Sequence, residues 1–183
     1  MIATALGLVA TAILTALLLG TMLGSNGTPA TGISNGPGVA EATALQAQQT
    51  LTAGLTTVET AAISTGGYGS LQPSALTASD PSITFVAGPS TDSDTISISV
   101  TGGTGGTGGA GGVGGTGGGT VTLADRSTGG TCWLVWKGAG GGTWYGAETA
   151  MASCTAPAIS STPSPGPVSS SSIGWQPGSF PDA

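Results

Sequence analysis

The side chains that most often carry out catalysis are scarce in this chain. Its 183 residues include no histidine and only two cysteines. Without histidine, neither a Ser-His nor a Cys-His nucleophile can form. Glu41 and Glu59 share one helical face, but they lie about 27 Å apart along the helix axis, too far for a catalytic carboxylate pair. We therefore expect no enzymatic activity and no cofactor.

Three short motifs are typical of ligand binding or modification. Asp92 and Asp94 could offer oxygens to Ca²⁺, although a solvated turn is the more ordinary interpretation, and no metal site is predicted. The Gly-rich stretch 101–119 lacks the helix and lysine of a phosphate-binding loop and is predicted to be a long flexible loop. Asn26 begins an Asn-Gly-Thr sequence, which makes it a candidate for glycosylation.

The two cysteines, Cys132 and Cys154, are too few to complete a zinc site. In a chain with an export-type N-terminus, such a pair predicts one disulfide. Aromatic residues flank the region between the cysteines: Trp133, Trp136, Trp144 and Tyr145. We expect them to seal a small β-core beside the disulfide, and a sugar-binding platform is the alternative.

The charge balance restricts the classes of partner. The formal net charge is −6, and Arg126 and Lys137 are the only basic residues. Nucleic acid as the main ligand is therefore not expected, because phosphate contacts need clustered cations. Charged residues make up only 5% of the chain, so the surface must consist largely of Thr, Ser, Gly and Asn. Such a surface fits an extracellular coat or polymer.

The first element is the apolar segment Met1–Leu23, which contains no charged residue. As a helix it would be about 35 Å long and apolar all round, so it must be surrounded by lipid or by copies of itself. Met1 is either the initiator of an uncleaved anchor or the first residue left after a short basic leader is removed. We favour the second interpretation; a signal peptide cleaved within residues 24–38 is a third.

A Gly/Pro connector at residues 24–38 separates this segment from an amphipathic helix predicted at residues 39–64. The helix is indicated by apolar residues spaced three to four apart: Leu45, Leu51 or Leu55, Val58 and Ala62. Gly54 weakens this pattern. Residues 66–81 contain turn signals and are predicted to form a loop.

A β-domain is predicted at residues 65–156. Candidate strands lie at residues 83–87, 94–101, 120–124, 131–137 and 143–146, and together they suggest a small antiparallel sheet. The Ser/Pro-rich tail at residues 157–183 is expected to be extended rather than folded. Trp175 and Phe180 are expected to pin the tail onto the domain or onto a neighbouring subunit.

The order of these parts resembles that of a type IV pilin or a pilin-like pseudopilin. Local similarity lies in the sequence Ser127–Trp133, in Trp144-Tyr145-Gly146 and in Cys154-Thr155-Ala156. The resemblance implies an α+β fold in which a long N-terminal helix packs on an antiparallel sheet. Bacterial major pilins usually carry a glutamate close to the mature N-terminus, where this chain has Thr4, Ala5 and Leu6. That difference fits an archaeal-type pilin, some minor pseudopilins or a divergent filament.

The resemblance implies a structural subunit of an extracellular filament that supports adhesion, motility or surface interaction. Its partners would be identical subunits, with the inner membrane holding the chain before assembly, and glycans could be attached. Met1 would be a processed, methylated N-terminus. Polymerisation would use the residues Met1, Leu6, Gly7, Leu8, Val9, Ile13, Leu14, Leu17, Leu18 and Leu19. The alternatives are a pseudopilin of a secretion system and a surface protein with a single membrane span.

Overall fold

The longest element of the computed structural model is helix α1, Pro37–Thr65. The structure describes residues 37–102, 119–150 and 153–183. After α1 come the 3₁₀ turn η1 (Tyr68–Ser70) and a short helix α2 (Pro73–Ser79). Six strands follow: β1 (Thr84–Val86), β2 (Thr95–Thr101), β3 (Thr120–Arg126), β4 (Cys132–Gly138), β5 (Thr143–Glu148) and β6 (Gly174–Pro177).

The two ends of α1 follow from local chemistry. Proline is well suited to the first helical position, because its fixed φ fits the helix and the missing N–H would have no partner there. At the other end Gly66 has a φ of 80°, and the N–H of Gly67 donates to the carbonyl of Ala62 at 2.8 Å. This is a glycine-based helix stop. The helix predicted at residues 39–64 lies within α1, which also includes the last two residues of the predicted connector.

One face of α1 is buried against the sheet. Its buried residues are Ala47, Leu51, Leu55, Val58 and Ala62. Leu45, which we expected on this stripe, is 51% exposed. It precedes Ala47 by two residues, about 200° around the helix, so its side chain lies on the other side.

The sheet has the order β1-β2-β3-β4-β5-β6. Strands β2 to β6 pair antiparallel, whereas β1 pairs parallel with β2. The prediction of an antiparallel sheet is therefore wrong for its first pair, and the fold is α+β with a mixed sheet. Residues 66–81, predicted as a loop, contain η1 and α2. The hydroxyl of Thr77 on α2 accepts from the N–H of Phe85 at 2.8 Å, which ties this helix to β1.

The sheet is covered on both faces. Its helix face, turned towards α1, carries Ile96, Leu123 and Val135. Its opposite face carries Leu134 and Trp136 and is covered by the C-terminal strap, our name for residues 153–183, although the end of the strap, with Phe180, packs against the core on the helix face. Polar and apolar residues alternate along β2, a pattern typical of a strand with one solvated face. Ser97 instead is fully buried, because its hydroxyl accepts from the N–H of Ala156 in the strap at 2.9 Å.

The strap crosses the sheet from one edge to the other. It begins beside the loop after β1, where the N–H of Ser90 donates to the carbonyl of Cys154 at 2.8 Å. The carbonyl of Ile159 then accepts from the indole N–H of Trp136 at 3.2 Å and from the hydroxyl of Thr120. The strap ends by supplying strand β6, which pairs with β5.

The prediction that the tail at residues 157–183 is extended rather than folded is thus wrong for β6. Trp175 is only 7% exposed, and Phe180 makes T-shaped contacts with Trp133 and Tyr145 at centroid distances of 5.8 and 4.8 Å. Of the two predicted roles for Trp175 and Phe180, the structure shows contact with their own domain.

Several predictions concern residues outside those described. They are the apolar segment Met1–Leu23, the connector up to residue 36 with Asn26, and the Gly-rich loop apart from Thr101, Gly102 and Gly119. No helix within the described ranges has both the length and the hydropathy that crossing a membrane requires.

Candidate assembly surface

Helix α1 has a second face, turned away from the sheet, that is exposed and uncharged. We call this the outer face; its residues are Leu45, Gln49, Thr52, Ala53, Thr56, Thr60 and Ile63. Ile63 is 85% exposed. The face combines small, hydroxylated and aliphatic side chains, and helices can approach closely where such small side chains meet.

The threonines of the outer face are less polar than their composition suggests. The hydroxyls of Thr52, Thr56 and Thr60 each donate to the carbonyl four residues earlier, at 2.8, 3.1 and 2.9 Å. Such back-bonding is a familiar arrangement for threonine in helices. Because these hydroxyl protons are already bonded within the helix, covering the threonines with another helix would leave few unsatisfied groups.

Grooves flank the outer face on both sides. One groove, of about 490 Å³, separates α1 from the end of the strap and is lined by Leu45, Gln48, Gln49, Thr52, Ala53, Thr56 and Phe180. The other, of about 310 Å³, lies towards α2 and is lined by Thr56, Thr57, Thr60, Ala61, Ser64 and Ser79. Thr56 borders both grooves, and no charged residue lines either of them.

Glu41, one turn before Leu45 on α1, is exposed, whereas other charges near this surface take part in interactions. Glu59 is half-buried and forms an ion pair with Lys137 at 3.2 Å. The Lys137 ammonium also donates to the hydroxyl of Thr143 at 3.0 Å. Near α2, the hydrogen bond from Ser82 lowers the pKa of the Asp80 carboxyl. The outer face is therefore a neutral strip on an acidic protein, where two copies can meet without strong like-charge repulsion.

Both edges of the sheet are occupied by other parts of the chain. At β1 the Thr77 hydroxyl accepts from the N–H of Phe85. At β6 the N–H of Gly166 donates to the carbonyl of Trp175 at 3.3 Å, and Pro177 has no N–H to offer. Covered edges and proline are devices that prevent one sheet from adding to another. This arrangement disfavours polymerisation through added strands.

Among the residues predicted from sequence, the two cysteines are brought together. Cys132 and Cys154 form a disulfide with a Cα–Cα distance of 5.3 Å, and it joins β4 to the strap. The four aromatic residues of this region do not form one platform: Trp133 is 3% exposed on the helix face, whereas Trp136 is 2% exposed on the strap face. In the part of the chain that the structure describes, no three His, Cys, Asp or Glu residues are placed to hold a metal ion.

Sequence reasoning missed one polar cluster. Asp125, on β3, is fully buried, and burial raises the pKa of its carboxyl to about 8, although its hydrogen bonds with the Ser90 side chain and the Arg126 backbone oppose the shift. The alternation of β3 places Asp125 on the helix face, but a single acid in a short strand looks like an ordinary surface residue. Its partner Ser90 comes from a loop 35 residues away, so no local signal connects them.

Comparisons with protein-family models, with curated proteins and with solved structures find no match to this chain.

Proposed function

We propose that this protein is a structural subunit of an extracellular, type IV pilus-like filament. The chain would be held in the inner membrane by Met1–Leu23 before assembly. In the filament, the same segment would pack against its copies at the centre, and the β-domain would face outward. There it would support adhesion, motility or other surface contacts, with glycans as candidate attachments.

The observation that carries this proposal is the 23-residue segment without a single charge at the start of an acidic chain. A helix of that composition is not stable in water, and burial against lipid or identical helices removes its apolar area from solvent. Gly7, Ala10 and Ala16 would permit close approach between neighbouring helices.

The outer face of α1 is the second support. It lies on the first helix that the structure describes after this segment, and it is neutral, exposed and flanked by two grooves. A neighbouring copy is the occupant that we infer for it, since the covered edges of the sheet leave α1 as the more accessible surface for contact between subunits.

Two other functions fit the apolar segment. One is a pseudopilin of a secretion system; the other is a single-span surface protein, which would keep Met1–Leu23 in lipid and would not polymerise. The experiment must therefore separate membrane insertion from packing between subunits.

The substitution Gly7→Leu distinguishes membrane insertion from packing between subunits. It keeps the segment apolar, so insertion in the membrane should be unchanged, but it adds a side chain where helices would approach closely. We expect sheared surface filaments to decrease on the order of tenfold, which corresponds to about 1.4 kcal/mol per subunit contact. The measurement is electron microscopy and immunoblotting of sheared material beside the membrane fraction.

The matched control is Met22→Leu, a substitution of similar size at a position of the same segment outside those assigned to polymerisation, and it should leave filament yield unchanged. Mass spectrometry of the same filaments should find a methylated N-terminal Met1. If the wild-type protein is found only in the membrane fraction and never in sheared filaments, the single-span alternative is correct and our proposal is wrong.

A further inference from the structure

Ser90 is the meeting point of three segments at one corner of the sheet. Its N–H donates to the carbonyl of Cys154, at the start of the strap, at 2.8 Å. Its hydroxyl oxygen accepts from the N–H of Arg126, at the end of β3, at 2.9 Å. The same oxygen lies 3.1 Å from the carbonyl oxygen of Asp92 and 3.3 Å from Oδ1 of Asp125.

The two oxygen–oxygen contacts, with Asp92 and Asp125, each need a proton, and the Ser90 hydroxyl has only one. A serine hydroxyl carries a single hydrogen, while the Asp92 carbonyl can only accept. If Asp125 were ionised, its Oδ1 would also be only an acceptor, and one of the two contacts would lack a proton. If Asp125 is protonated, it donates to Ser90, Ser90 donates to Asp92, and every contact is a hydrogen bond.

The surroundings of Asp125 favour the neutral acid as well. The side chain is fully buried, and its second oxygen, Oδ2, has no hydrogen-bond partner among the described residues. The charged groups that act on it are Asp92 and Asp94 in the loop after β1, and both are acids that disfavour a further negative charge. A buried carboxylate without a cation is costly.

Other charged groups lie on the elements that pack around this corner. Helix α1 carries Glu41 and Glu59, of which Glu59 is paired with Lys137 on β4. Strand β5 carries Glu148. Arg126 follows Asp125 on β3, so the alternation of the strand directs its side chain towards the opposite face.

We propose that Asp125 retains its proton in the folded protein and that this proton fastens the loop after β1, and the start of the strap, to strand β3. Loss of the proton loosens this corner, while the disulfide keeps Cys154 attached. The device is independent of the filament proposal, because it lies within one subunit.

The pH dependence has a definite sign. The carboxyl ionises near pH 3.8 when exposed and near pH 8 in the folded corner. Opening the corner therefore releases a proton between these values, so opening becomes easier as the pH rises from about 4 to 8 and levels off above 8. The contact is tightest in acid.

A carboxyl titration tests the protonation directly. The full-length chain is labelled with ¹³C at the carboxyl carbons of its five aspartates, kept in detergent micelles, and followed by NMR from pH 3 to 10. We expect one aspartate signal to titrate near pH 8, and Asp125→Asn to remove that signal. If every aspartate completes its titration below about pH 6, the proposal is wrong.

Amide hydrogen exchange tests the fastening. After correction for intrinsic rates, the protection of the Ser90 and Arg126 amides should fall about tenfold per pH unit between about pH 5 and 8. In Asp125→Asn the side-chain amide can donate to Ser90 at every pH, so protection should not depend on pH. Asp182→Asn, at an exposed acid, is the matched control and should behave like the wild type. An unchanged slope in Asp125→Asn would overturn the proposal, and the wild-type titration decides the question if that variant does not fold.

Discussion

At the scale of single residues, Gly54 illustrates how packing can favour a residue that weakens a helix. From sequence it only lowers helix propensity. In the structure it is buried against the sheet, where an added Cβ would overlap Cδ1 of Ile96, at the end of that side chain, and would lie 3.5 Å from the ring of Phe85. Glycine allows α1 to lie close to β1 and β2 at this point.

We therefore predict that Gly54→Val destabilises the protein by about 2 kcal/mol, since overpacking a well-filled core costs roughly 1–3 kcal/mol. Chemical denaturation measures the change. Ala53→Val, one residue earlier on the outer face, is the control and should cost only a few tenths of a kcal/mol through helix propensity. Equal effects of the two substitutions would show that α1 does not approach the sheet at Gly54.

The residue scale also shows which part of a site is accessible to sequence reasoning. Cys132 and Cys154 could be paired because the chain has only two cysteines. Asp125 could not be identified, because its character comes from burial and from Ser90, which is distant in sequence. A buried acid and an exposed one look the same until the tertiary structure is known.

At the scale of elements, the spacing of apolar residues predicted those helices and strands whose own sequence carries a regular pattern. Apolar residues recur every three to four positions along α1 and alternate with polar residues along β2. The loop prediction for residues 66–81 failed at α2 because proline is both a turn signal and a favourable first residue of a helix, and Pro73 begins α2. The parallel pairing of β1 leaves no local trace, since it depends on how the loop at residues 87–94 crosses back.

The strap is the element that sequence reasoning described least well. A stretch rich in serine and proline is usually extended and solvated. Here it covers the second face of the sheet, because Ala156, Ile159 and Trp175 supply just enough apolar contact and their backbone groups bond to Ser97, Trp136 and β5. Its few anchors are too widely spaced to form a recognisable pattern.

For this element we predict that replacing both Cys132 and Cys154 by alanine lowers the free energy of unfolding by about 3 kcal/mol. The disulfide joins two cysteines that are 22 positions apart in sequence, and this closed loop restricts the unfolded chain. The strap should still dock through β6, so the variant should fold. Thermal and chemical denaturation measure the loss, and a reducing agent should weaken the wild type but not the variant. If stability is the same with and without the bond, the disulfide does not stabilise the strap.

At the scale of the whole molecule, the described part is a three-layered unit of helix, sheet and strap. Its sheet edges are covered, and its outer helix face is neutral and free of ion pairs. Of the eight acids only Glu41 and Glu59 lie on α1, and Glu59 is paired with Lys137, so an overall charge of −6 does not prevent copies from meeting along this helix. Together with the apolar segment before it, this arrangement favours assembly through helices.

The most direct measurement is cryo-electron microscopy of filaments sheared from the surface of cells that make this protein. We predict helical filaments built from this chain, with residues 1–23 packed against their copies around the axis, the outer face of α1 in contact with a neighbour, and the sheet outside. The account is contradicted if the purified full-length chain remains a single molecule in detergent, with its first 23 residues in contact with the detergent tails, and if no filament contains it.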